Sequence, residues 1–255
     1  MKPILRRDFM LLGASALCCA PLWAANKKPP APSLSVLNQA GQFAMHTERI
    51  GKYWIQIGVG IDVDRARLHM QDSIQAFERL VALLVRSVRG EQMLLIEQRA
   101  RVFRMAWAVK PAPEGVRRIS SLGQDLADLG MKLFAQLAQS QPVEGTRRLS
   151  DANEARMLTQ RMARLALTRQ WGMAAPDVSL VIEQQRKAFA ARLEALNSDA
   201  GLPENARADL QLARQQWVFV DQALATKEDL KAATQAANLA ERERELLDSL
   251  CLHLV

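Results

Sequence analysis

The sequence predicts an all-α protein of two tandem up-down four-helix units, eight long helices packed as an internal pseudo-dimer. Three observations lead there. The chain is 49% apolar but only 5% aromatic, and it is dominated by Ala, Leu, Gln, Arg and Glu, residues that lose little rotamer freedom in a helix. Gly- and Pro-bearing punctuation divides it into stretches of helical length. Finally, it resembles itself when shifted by 112 positions. With 12 Gly and three Cys in 255 residues, collagen-like repeats and disulfide scaffolds are excluded.

Residues 1–25 read as an export signal. Lys2, Arg6 and Arg7 precede an apolar stretch from Phe9 to Trp23, and cleavage is expected near Ala24 or Ala25. Arg6-Arg7-Asp8-Phe9-Met10-Leu11 resembles the twin-arginine motif, and an ordinary Sec signal that happens to hold two arginines is the other reading. A Pro-rich spacer covers 26–33. No later run reaches ~18 uncharged apolar residues, so a periplasmic product without stable membrane insertion is expected. Cys18 and Cys19 leave with the signal, and Cys251 is then a lone thiol, buried or linking a dimer. Signal removal lowers the formal charge from +7 to +5. Export, and the interleaving of these charges with acids, argue against nucleic acid and for a solvated surface that mildly attracts anions.

The first unit, 34–141, holds expected helices at 34–58, 62–89, 91–109 and 116–140, separated by Gly58-Val59-Gly60, Gly90 and Lys110-Pro111-Ala112-Pro113. The second, 146–255, holds helices at 147–171, 177–198, 204–225 and 227–252, the last opened by a capping box at Thr226 to Asp229. Runs of this length reach about 37 Å and suit long bundles.

The offset aligns Leu37 with Leu149, Ala40 with Ala152, Met45 with Met157, Thr47 with Thr159 and Arg49 with Arg161. In the next helix Leu68 meets Leu180, Ala76 meets Ala188 and Phe77 meets Phe189. A shared offset across two helices favours duplication. In the leading helices Phe43, His46, Ile50, Tyr53 and Ile57, and Ala155, Leu158, Met162 and Leu165, form the expected core stripe. Asn153, Arg156, Gln160 and Arg164 project to the opposite side, as do Gly41, Ala44, Glu48 and Lys52. Arg49 and Arg161 are expected along the bundle surface with their stems packed down.

The segment Ala152-Asn153-Glu154-Ala155-Arg156-Met157-Leu158-Thr159-Gln160-Arg161-Met162-Ala163-Arg164 resembles the signature of the PilJ-type sensor domain. That domain is the periplasmic module of type IV pili methyl-accepting chemotaxis transducers, related to nitrate/nitrite sensors. Leu37 to Lys52 resembles the opening of the same pattern. The resemblance implies a small anion, nitrate-like or carboxylate, held where two leading helices meet, by the arginine before the first Met of the signature. That residue is Arg156 in the second copy and Ala44 in the first. The expected ligand-binding set is Arg156, Gln160, Asn153 and Arg164, with Thr47 and Lys52 from the first copy. An envelope sensor or transporter protein is the implied signalling partner.

A guanidinium matches planar oxyanions and stays charged at any relevant pH. The plainer reading makes Arg156 and Arg164 the wet side of an amphipathic helix. His46, His69 and His253 have no metal-pair spacing, and His46 on an apolar stripe reads as a hydrogen-bonded core residue. No His-Glu-x-x-His, Gly-rich phosphate loop or Gly-x-Ser-x-Gly elbow occurs, so neither catalysis nor a cofactor is expected. Sensory anion binding is the leading expectation, and a ligand-free helical interaction or structural protein of the envelope is the alternative.

Overall fold

The computed structural model describes residues 33–140, 143–226 and 229–255, so the signal and most of the spacer lie outside the described residues. Eight α-helices follow one another: α1 (Leu34–Val59), α2 (Val63–Ser87), α3 (Glu91–Trp107), α4 (Val116–Ser140), α5 (Thr146–Gln170), α6 (Val178–Asn197), α7 (Glu204–Ala225) and α8 (Leu230–Leu254). One 3₁₀ turn, Pro113–Gly115, leads into α4, and no strand occurs among the described residues.

Local chemistry sets the ends. Ser33 accepts the Val36 amide at 3.3 Å to cap α1. Gly60 closes α1 in the left-handed region at φ 86°, and Gly172, 112 positions later, follows α5 at φ 72°. The expected capping box is replaced by Asp229 alone, whose carboxylate accepts the Lys231 amide at 2.8 Å, so α8 starts at Leu230.

Within the first half α1 packs against α2 and α4, and α3 lies on α4. The second half repeats the arrangement, with α5 against α6 and α8, and α7 on α8. Extensive packing of α1 on α5 joins the halves, and the described residues form one compact unit.

Equivalent positions do equivalent work. Leu37 and Leu149, Ala40 and Ala152, and Phe77 and Phe189 are all sealed from solvent. Phe77 meets Trp107 at 5.2 Å, and Phe189 meets Trp217, two positions off the shared offset, at 4.2 Å, centroid to centroid. The Thr47 and Thr159 hydroxyls both donate four residues back, to the carbonyls of Phe43 and Ala155.

The two leading helices depart from the amphipathic expectation. Phe43, Ile50 and Tyr53 are core as expected, but Glu48, Lys52, Arg156, Gln160 and Arg164 on the other side are buried as well. The polar faces have no wet side because they face each other and α8. Arg49 and Arg161 lie inside rather than along the surface, 5% and 8% exposed, since each has a carboxylate to meet.

Candidate functional site

The seam between α1 and α5 is built from polar residues. Contacts advance in the same direction along both helices: a Cβ on Gly41 would strike Asn153, Glu48 meets Arg161 and Arg164, and a Cβ on Gly58 would strike Trp171, while the long Arg156 side chain reaches back to Asn38. The leading helices therefore run parallel and nearly in register, as related helices do about a two-fold axis along their length.

Arg156 is fully buried at one level of this seam. Its Nη1 donates to Asp248 Oδ1 on α8 at 2.7 Å, and Nη2 donates to Asn38 Oδ1 at 3.1 Å and to Asn153 Oδ1. Its Nε has no partner among the described residues. Asn153 in turn donates to the Leu149 carbonyl at 2.8 Å. Gln160 Nε2 donates to the Ala240 carbonyl at 3.0 Å, leaving Oε1 buried and without a partner among the described residues.

Two further clusters follow along the helices. Glu48 receives Arg161 Nε at 2.6 Å on one oxygen and Arg164 Nε at 2.7 Å on the other, and Arg161 also reaches Asp128 on α4 at 2.6 Å. Glu241 on α8 receives Arg49 Nη2 at 2.7 Å together with the Lys52 ammonium. Arg49 thus crosses to the last helix of the other half, as Arg161 does in return. The expected site residues are accordingly distributed: Asn153 and Arg156 meet, Arg164 and Lys52 belong to separate ion clusters, and Thr47 is held by its own helix.

Burial would neutralise these groups if they stood alone. It opposes the charge of Glu48, but Arg164 and Arg161 outweigh it and hold the carboxyl below its ordinary value. Glu241 is likewise held well below its usual range, burial being overcome by Lys52 and Arg49. Lys52 is pushed down to about 8, because burial exceeds what Glu241 restores. The inward cations Arg49, Lys52, Arg156, Arg161 and Arg164 face four carboxylates, Glu48, Asp128, Glu241 and Asp248, before Arg244 is added on α8.

The acids on α8 were missed in the sequence because Glu241-Arg242-Glu243-Arg244-Glu245 reads as a solvated charge run. Its alternation hides that Glu241 and Glu243 turn inward. Glu243 is fully buried, both its oxygens lack partners among the described residues, and burial raises its carboxyl to about 9. His46 is half-buried and, contrary to the hydrogen-bonded expectation, its Nδ1 has no partner among the described residues. Burial, then Arg49 and Arg156, keep its ring well below its ordinary pKa. Cys251 is sealed, and burial pushes its thiol up to about 11.

No group of three His, Cys, Asp or Glu among the described residues is placed to hold a metal. No described helix is long and apolar enough to cross a membrane. Comparison with protein-family models, with curated proteins and with solved structures found no match.

Proposed function

We propose that the chain is an exported sensory protein of the periplasm, built from two PilJ-like units, that binds a small anion between its leading helices and signals through an envelope sensor or transporter protein. The observation that carries this reading is Arg156. It is a fully buried guanidinium at the meeting of α1 and α5, with one N–H unpartnered among the described residues, in a seam rich in cations.

An arriving nitrate or small carboxylate competes with Asp248 for Arg156. The exchange is supported by the second partner of Asp248, Arg244 on the same helix, which keeps the displaced carboxylate paired. It loosens α8 from α5 at that level. A ligand that prefers the loosened arrangement shifts the population toward it, and a partner reading the position of α8 senses the change.

Calorimetry of the mature protein against nitrate, nitrite and small carboxylates tests the reading, with Arg156→Ala as control and its fold checked by thermal melting. Nitrate or nitrite binding that disappears in the variant supports it; absence of heat, or nitrate heat unchanged by the substitution, removes it.

A second reading, a ligand-free interaction protein of the envelope, is favoured by the fact that both terminal nitrogens of Arg156 already have protein partners. Leu212, Val218 and Phe219, all exposed on α7, offer apolar surface for such contact. Partner co-purification that is indifferent to anions is its signature.

A further inference from the structure

A cavity of about 450 Å³ lies between the start of α4, the end of α5 and the segment leading into α6. Arg164 lines it from α5, and Arg117, Ser120 and Gln124 line it from α4. Arg164 is 1% exposed, and its Nε is spent on Glu48 while Nη2 has no partner among the described residues. The Ser120 hydroxyl is a second buried polar atom without a partner there. An unpartnered donor of a buried cation carries a desolvation cost that an acceptor in the cavity removes. Leu165, Met173 and Val181 supply an apolar wall.

The duplication shows how the two halves differ at this level. At the same offset of 112, Arg164, Leu165 and Val181 correspond to Lys52, Tyr53 and His69. There the ammonium is closed off by Glu241, and the Tyr53 ring stacks on His69 at 5.4 Å. Smaller aliphatic residues stand where that aromatic pair fills the other copy.

We propose that this cavity is a binding chamber for a small organic carboxylate with an apolar body. The carboxylate takes Arg164 Nη2 and Ser120 Oγ, Arg117 attracts it at the mouth, and the body lies on Leu165 and Val181. Inorganic nitrate satisfies the first part of this description but leaves the apolar wall uncovered. Small-molecule pockets typically begin at roughly 300 Å³, so the chamber is large enough for such a ligand. The chamber is a second anion site, separate from the Arg156 seam, and its test is read independently of the one at Arg156.

Calorimetry on the mature chain with benzoate, isovalerate and nitrate tests it. Val181→Trp fills the chamber and Ser120→Leu blocks it from the opposite helix, so one remains usable if the other fails to fold. Either is expected to weaken benzoate by about tenfold or more. Arg117→Gln weakens it about threefold, as befits a charge at the rim. Lack of heat with both benzoate and isovalerate overturns the chamber. Binding that survives Val181→Trp and Ser120→Leu but is lost in Arg156→Ala also overturns it, while leaving the anion-sensing reading intact.

Discussion

Gly41 and Asn153, equivalent positions in the two halves, stand against each other across the seam, so that a Cβ on residue 41 would lie 1.9 Å from Asn153 Oδ1 and 2.6 Å from Asn153 Cβ. Turning the amide away cannot relieve the second contact, because Cβ moves only with the backbone. Gly41→Ala is therefore expected to separate α1 from α5 locally and to destabilise the fold by about 1–3 kcal/mol, as overpacking does. Urea denaturation measures the loss. Because Asn153 also holds Arg156, any Arg156-dependent anion affinity changes in the same variant.

Among the described residues Glu48 alone bridges Arg161 Nε and Arg164 Nε, and it is fully buried. Removing it leaves Arg164 without its ion-pair partner in the interior. Glu48→Leu is expected to cost about 3–5 kcal/mol. Adding Arg164→Leu to that variant recovers part of the loss, since the unpaired charge goes with it. A double-mutant cycle measured by chemical denaturation decides this, and strictly additive losses would refute the coupling.

Glu243 gives an alkaline signature. Its folded pKa of about 9 lies above the ordinary 4.5, so the folded state keeps a proton that the unfolded chain has released. Between these values its contribution to stability falls as pH rises, by about 1.4 kcal/mol per unit. Lys52, lowered from 10.5 to about 8, acts with the opposite sign only between those two values. The comparison that isolates Glu243 is wild type against Glu243→Gln. The variant should gain relative stability steadily from pH 5 to about pH 9.

Glu241 gives the acid counterpart. Its carboxyl titrates well below 4.5 in the fold, because Lys52 and Arg49 overcome the effect of burial. Its stabilisation is present above the ordinary carboxylate value and is lost as pH falls from there through the folded value, since the unfolded chain takes the proton first. Glu241→Gln should lower stability at neutral pH and flatten the acid limb, as read by thermal melts from pH 6 to pH 2.

Helix number and most boundaries were legible because punctuation is local. Pro113 and Pro203 stand just ahead of α4 and α7, whose observed spans, Val116–Ser140 and Glu204–Ala225, match the expectation. Asp229 displaced the start of α8 because a single carboxylate at the cap suffices. The burial of Arg49 and Arg161 was not legible, since periodicity shows which residues share a helix face and not which faces mate. The one available hint was α5 itself: polar residues go nearly all the way round it, a composition that suits a helix surrounded by partners better than a surface helix. Arg156 was named from a resemblance, and Asp248, which holds it, was invisible because pairing 92 positions apart leaves no local trace.

Cys251 is sealed in α8 three positions after Asp248, the residue that fastens that helix to Arg156. A thiol reagent can reach it only after α8 has lifted, and the raised pKa further slows attack while the helix is seated. Alkylation of this sulfur thus works as a clock for opening: any small molecule that loosens α8 accelerates it, and any that locks α8 down retards it.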